Sequence, residues 1–443
     1  MTEHFINEPG EYDPGIVKPG DSLYFKGGVT FPGIYVPAGE MGNKINVGSF
    51  DGLAKTNVFT AGSYMTVHDM IIDGKGRNYG MEVPPGEVHE LSVLKVAWEN
   101  CANGLALNEG GSDLLIRWCH LKNMQNSGFS INGSGFTNSY FLDNIINGPE
   151  KVQGNDGISI HDLGENNYPG KHHVIARNVI SGFLREDGID ITAGEDIFAL
   201  NNHLFNNRLG IYAGMNSKNV YAGGNKIDVG QFGILIDAQN VVAYNNKIKG
   251  EAGANSLIAI EDGYGNDIVA KIWNNNLIKN GAGAAIKVSQ NRGHVKHITY
   301  GRNILKENDD IFQFANVGNA EVQEFENRNN VDMDDDFVPV TPIISGSPTF
   351  TAGIFPFILD DDDDVQLEDA LKFDHNNVKR VIPVYLGALN CSGGEPIEPP
   401  IDPPIDPDPD EPTYLEKVEM FQKKLFQASR AFCDILREFS PEE

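Results

Sequence analysis

From about Ser63 to Asn319 the chain repeats one unit of short apolar runs and polar corners. Each copy opens on a strand-like stretch, passes an Asn followed by an Ile or Leu, and closes on Gly-Ile-x-Ile. HVIARNVISGFLREDGIDI, DIFALNNHLFNNRLGIYAG and NVYAGGNKIDVGQFGILID are three such copies. The apolar positions alternate with period two, so the runs predict strands rather than helices. Val174, Ala176 and Asn178 are expected to face one way, and Ile175 and Arg177 the other. One unit of this length cannot bury its own apolar face, whereas stacked units can. The expected fold is all-β, a single-chain parallel β-helix.

The marker asparagines are Asn144, Asn178, Asn202, Asn225, Asn246, Asn276 and Asn303, spaced by roughly 21 to 34 residues. A residue repeated in every coil points to architecture rather than catalysis. Each is expected to turn inward at a corner and to hydrogen-bond to the Asn of the next coil.

The stretch KPGDSLYFKGGVTFPGIYVPAGEMGNKINVGSFDG (Lys18–Gly52) resembles the opening coils of the right-handed parallel β-helix superfamily, the pectate-lyase-like fold. SGSPTFTAG from Ser345 and YLGALN from Tyr385 resemble its closing segment. The resemblance spans about residues 10 to 390. It implies the fold, with opening coils in 1–62, central repeats in 63–319 and a closing segment in 320–391. It does not single out an activity, because the family holds lyases, glycoside hydrolases, epimerases, tailspikes and adhesins.

Stacking turns the repeat into columns. Aligned on the Gly of Gly157, Gly188, Gly210 and Gly233, one outward column reads Ser159, Asp190, Tyr212, Leu235, and the next His161, Thr192, Gly214, Asp237, Glu261. Asp156 and Asp187 stand just before their glycines. One face therefore gathers Asp187, Asp190, Asp237 and His161 as candidate acids and bases. Arg185, Arg208, Tyr212 and Glu261 are candidate substrate-binding groups, and Asp156 and Asp187 candidate metal ligands. Asp190 and Asp237, two coils apart, suit the carboxylate spacing of an inverting glycosidase. His161 or Tyr212 beside Arg185 or Arg208 suits a lyase. EDGID (Glu186–Asp190) resembles the Ca²⁺-binding stretches of family lyases. No cofactor is required by the sequence, and Ca²⁺ is the candidate. The insertion LGENNYPGK (Leu163–Lys171) is placed to wall this face.

A net charge of -28 argues against nucleic acid and anionic membrane surfaces as partners. No apolar run is long enough to insert in a membrane. Cys101, Cys119, Cys391 and Cys433 show neither metal nor CxxC spacing. Cys101 and Cys119 are expected to stack as small core groups, with pairing an open alternative. His172 and His173 are expected to be exposed or corner residues, and Trp98, Trp118 and Trp273 to pack in the core or at corners. The Asp runs at 332–336 and 360–364 are expected to be solvated loops.

Residues 392–412, SGGEPIEPPIDPPIDPDPDEP, form a Pro- and Asp-rich extended linker. In 413–443, Thr413 and Glu416 make a capping box. Val418, Phe421, Leu425, Phe432, Ile435 and Phe439, with Ala428, follow spacings of three and four. That seam predicts an amphipathic helix for self-association or for docking on another virion or assembly protein.

The N-terminus, MTEHFINEPGEYDPG, does not read as a signal peptide. The resulting expectation is an extracellular, virion-associated, tailspike-like protein. Its partner would be host-surface polysaccharide, which the acidic face binds and could cleave. Two alternatives stand beside it. One is a secreted polysaccharide lyase or inverting glycoside hydrolase; the other is a non-catalytic fibre or decoration protein anchored by its C-terminal helix. Whether the chain is an enzyme stays open on sequence.

Overall fold

The computed structural model describes residues 2–327, apart from 134, 150–154, 162–169, 252–253, 266, 280–283, 291, 302, 307–311, 316–319 and 326. The linker, the heptad segment with Val418, Phe421, Leu425, Phe432, Ile435 and Phe439, and most of 320–391 lie outside them. So does most of the Leu163–Lys171 insertion.

The described residues form a parallel β-solenoid of about 11 turns. Each turn contributes strands to three ladders, and every ladder is parallel. The first runs through Leu91–Leu94, Gly111–Arg117, Thr137–Leu142 and Lys171–Ala176. The second runs through Ala97–Glu99, His120–Lys122, Ile145–Asn147 and Val179–Ser181. The third runs through Asn103–Leu107, Phe129–Ile131 and Ile158–Ile160. In the coils that follow, Asp187–Leu200 and His203–Gly223 pass through corners without a break in pairing, at the cost of bulges after Ile191 and Phe205. The only helical elements among the described residues are two 3-10 turns, Pro9–Glu11 and Pro14–Ile16.

Stacking in register makes the core a set of columns. Val93, Ile116, Phe141, Ile175, Ala199 and Ala222 are successive Cα partners, and all are buried. Burying each such side chain contributes about 1.5–3 kcal/mol for the larger residues. Cys101 and Cys119 are buried free thiols, as their small-hydrophobe role requires. Trp98 is fully buried in a strand, Trp273 is buried, and Trp118 sits at a corner with positive φ.

The corner between the first and second ladders is built the same way in coil after coil. Asp143, Arg177, Asn201, Gly224, Asn245 and Asn274 all have φ between 53° and 66°. A left-handed residue reverses the strand's alternation, and the side chain after it swings inward. Strict alternation therefore ends at Arg177. Val174 and Ala176 face outward, as a pair opposite Ile175, but Asn178 points in.

The inward asparagines form a continuous ladder. Asn178 Nδ2 donates to Asn202 Oδ1 at 3.0 Å, Asn202 to Asn225 at 3.0 Å and Asn225 to Asn246 at 3.0 Å. The second N–H of Asn178 reaches Phe141 O, and its Oδ1 accepts from Asn144 N. Full satisfaction is what permits an amide in an apolar core. The coil after Asn246 uses Asn275 rather than Asn276: Asn246 Nδ2 donates to Asn275 Oδ1, and Asn275 donates to Asn303. The left-handed residue there is Asn274, so the ladder position is the one after it. Asn276 has already begun the next strand, as the partner of Lys247.

His173 also departs from expectation. It lies in an inward column between Ser139 and Ile197, fully buried, with Nδ1 2.6 Å from Ser139 Oγ. Burial pushes its imidazole down to about 3, so it sits there neutral.

Candidate active site

The third ladder carries most of the site residues expected from the sequence. Ser159, Asp190, Tyr212, Leu235, Ala259 and Lys287 are Cα partners in that order. Asp187 pairs with Leu209 and then Phe232, the position before each glycine.

The tightest contact joins two coils. His161 Nε2 lies 2.7 Å from Asp190 Oδ2. Thr192 Oγ1 donates to the other Asp190 oxygen at 2.7 Å. Asp190 is thus fixed from both sides, and it fixes the imidazole in turn. Asp156 Oδ2 is 3.9 Å from the same His161 nitrogen, and Asp156 Oδ1 accepts from Asp187 N at 3.2 Å. Burial by itself would lower the His161 pKa. The Asp190 hydrogen bond and the charges of Asp190, Asp156 and Asp187 outweigh it and raise the pKa above the ordinary value.

A second group lies beside this one. Arg208 Nη2 donates to Glu186 Oε2 at 2.8 Å and to Asp187 Oδ1 at 3.1 Å. Burial and the Asp190 charge nonetheless push Asp187 up to about 7, against the pull of Arg208. Asp156 is likewise held well above the carboxylate range, by burial and by the charges of Asp190 and Asp187. Buried carboxyls crowded in this way retain protons that isolated ones lose. Arg185 and Arg208 both border a depression of about 700 Å³ that Asn206 and Gln231 also line. Arg185 is exposed and Arg208 half-buried.

Tyr212 occupies the coil after Asp190. Its ring lies across Gly214, where a Cβ would stand 2.2 Å from the phenol oxygen. The glycine gives the ring its seat. Burial and the charge of Asp237 raise the phenol pKa, so the hydroxyl keeps its proton. Asp237 sits beyond it, accepting from Gly263 N at 2.9 Å, and burial pushes its carboxyl up to about 6. The half-buried Glu261 adds to that rise.

Of the residues expected on this face, Asp156, His161, Asp187, Asp190 and Arg208 form one cluster. Tyr212 lies between it and a second group of Asp237 and Glu261. Arg185 belongs to the rim. Glu186, the tighter of the two Arg208 partners, had no separate role in the sequence reading. Its position beside Asp187, on the corner facing the Arg208 coil, is the signal that finds it.

Among the described residues, two sets of side chains bring ligand atoms within 4.8 Å of one another: Asp156, His161 and Asp190, and Asp156, Glu186 and Asp187. The second set offers only carboxylate oxygens, the donor chemistry of Ca²⁺.

No protein-family model and no curated protein matches the chain. Solved structures do. The A-module of the Azotobacter vinelandii mannuronan C-5 epimerase AlgE6 aligns with a TM-score of 0.52 at 14% identity, over 70% of this chain and 91% of that one. A double mutant of the periplasmic alginate epimerase AlgG aligns with a TM-score of 0.51 at 13% identity, over 73% and 83%. A mannuronic acid specific polysaccharide family 6 lyase from human gut microbiota gives 0.50 at 11% identity, over 76% and 88%. What these proteins share with this chain is the parallel β-helix fold. Identity this low carries the architecture and nothing finer.

Proposed function

We propose that the protein binds an acidic polysaccharide along the third ladder and processes it by proton transfer at a uronate unit. The observation that carries this reading is the 2.7 Å contact between His161 and Asp190 beside Arg208. A base that removes the proton next to a sugar carboxylate must be oriented, and the carboxylate must be neutralised. Asp190 orients His161. Arg208 supplies positive charge, and Asp156 and Asp187 hold protons that can be donated to an anionic group.

In the lyase form of the reaction, His161 takes the proton at C5. The electron pair forms the C4–C5 double bond as the C4–O bond breaks. The leaving oxygen takes a proton from Tyr212, the protonated hydroxyl on the same face. If a proton instead returns to C5 from the opposite side, no bond to oxygen breaks and the sugar is epimerised. Ca²⁺, if bound by Asp156, Glu186 and Asp187, would supply further positive charge for the uronate. That fold relatives are described as acting on alginate or mannuronic acid polymers accords with this substrate class.

Inverting hydrolysis by Asp190 and Asp237 is less favoured. Both Asp190 oxygens are already engaged, by His161 and Thr192. The virion-associated, tailspike-like placement is an expectation from the sequence alone. Neighbouring genes for tail or capsid proteins support it, and a sugar-catabolism cluster supports a secreted enzyme.

The test is incubation with a panel of uronate and neutral polysaccharides. Ultraviolet absorbance reports the unsaturated product, proton NMR reports inversion at C5, and reducing-end release reports hydrolysis. Binding and turnover confined to uronate polymers, without hydrolysis, is the expected result. Binding to neutral glycans alone, or to none, overturns the proposal.

A further inference from the structure

The corners between the second and third ladders differ in length from coil to coil. The chain advances six positions from Ser181 to Asp187, four from Phe205 to Leu209, four from Asp228 to Phe232 and seven from Lys249 to Ser256. Both sets of end points are columns of Cα partners, so the difference falls on the corners alone. Two tight corners therefore lie between two longer ones. That step in length makes the depression beside Arg208, which Leu184, Arg185, Asn206, Gln231 and Glu251 also line. Its height along the solenoid axis is two coil spacings, about 10 Å. The lining suits a sugar. Asn206 and Gln231 are exposed, and each amide offers donors and an acceptor to hydroxyl groups. Leu184, 56% exposed, supplies an apolar wall. Arg185 is exposed and pairs with no carboxylate among the described residues. Its planar fork matches a carboxylate. Glu251 stands on the other long corner, so an anion is accepted only at the Arg185 end.

We infer that the polysaccharide is branched, and that this depression receives a side sugar whose carboxylate pairs with Arg185. The inference deepens the uronate reading of the third ladder and rests on it. A main chain lying along that ladder follows the outward column Ser130, Ser159, Asp190 and Tyr212. Ser130 and Ser159 are small and buried, so they leave its path level. The depression lies off that path, at the corner past the Asp187 end of the strand. Arg208 stands between the two, tied to Asp187 on the ladder and to Glu186 on the corner. A chain running along the axis through the depression would meet a long corner at each end. The occupant is therefore short, and it enters by projecting sideways from the main chain.

Titration calorimetry on the full-length chain tests it with three probes: polymannuronate, and the same polymer grafted with single glucosyl or single glucuronosyl branches. The glucuronosyl polymer is expected to bind about tenfold tighter than the unbranched one, the gain of one charge-assisted pair, with the glucosyl polymer between them. Arg185→Ala is expected to bring the glucuronosyl polymer to the level of the glucosyl one. Gln231→Trp, which fills the depression, is expected to remove the gain from both grafts. Both positions are exposed, and melting close to the wild type separates these losses from loss of fold. Equal affinity for the three polymers overturns the inference. So does an equal loss for all three in Arg185→Ala, which makes the depression a stretch of the main-chain path. Binding of none of the three overturns the uronate reading itself, and the inference with it.

Discussion

The His161 imidazole lies 2.7 Å from the Asp190 carboxylate, although 29 residues separate them in the chain. The coil-to-coil register makes this contact, and it joins a proton carrier to the group that orients it. His161→Gln is expected to lower turnover by about 10²–10⁴-fold. Asp190→Asn is expected to act in the same direction by releasing the imidazole, with binding largely kept. Circular dichroism and melting close to the wild type would separate loss of chemistry from loss of fold. Undiminished activity in Asp190→Asn would remove Asp190 from the site.

Arg208 bridges Glu186 and Asp187 and borders the depression shared with Arg185. Arg208→Ala is expected to weaken binding of a uronate polymer about tenfold or more, with Arg208→Lys intermediate because an ammonium keeps the charge but lacks the planar fork that pairs bidentately with a carboxylate. Affinity measured at two salt concentrations checks this, since the wild type should lose more to salt than Arg208→Ala does.

Stability is expected to depend on pH with a definite sign. Folding raises Asp187 from 3.8 to about 7 and Asp237 from 3.8 to about 6. Between the unfolded and folded values the native state binds more protons than the unfolded chain. The stability these groups contribute is complete below the unfolded value and is lost as pH rises through the folded one. Asp187→Asn removes one such penalty and leaves Arg208 its Glu186 partner. It should melt higher than the wild type at about pH 7 and at nearly the same temperature at about pH 4. Melting curves across that range decide the matter.

Crowded protonated carboxyls release protons when a cation replaces them. Ca²⁺ added at neutral pH is expected to raise the melting temperature and to release protons, and Asp156→Asn to abolish both effects. Calorimetry in buffers of different ionisation enthalpy measures the release. Absence of both effects removes Ca²⁺ from the candidate cofactors.

Asn225 donates to Asn246 and to Ala199 O, and accepts from Asn202. Asn225→Ala leaves buried partners on both sides unsatisfied and should cost about 2–3 kcal/mol. Gln239→Ala, at an exposed site, should cost nothing measurable by thermal denaturation.

Much of the candidate site's arrangement was legible because a solenoid converts sequence spacing into spatial columns. Once Gly157, Gly188, Gly210 and Gly233 are aligned, Asp190 and Tyr212 must be neighbours, and the ladder has them so. Glu186 entered only as part of the EDGID stretch and not as a partner of Arg208, because it lies on a corner, where no column rule applies. The Asn276 assignment failed for a related reason. Three consecutive asparagines satisfy the repeat equally well, and only the left-handed backbone at Asn274 selects Asn275.

By itself the sequence determined the repeat, and with it the parallel stacking, the inward asparagine ladder and the face on which the carboxylates gather. Period-two alternation in short repeated units buries its apolar positions when the units stack on one another. Tertiary structure alone decided which outward side chains touch. His161 reaches Asp190 across a coil boundary, Tyr212 lies over Gly214, and His173 turns into the core beside Ser139. Those outcomes depend on rotamers, on corner geometry and on the room left by neighbouring coils, none of which a one-dimensional pattern encodes.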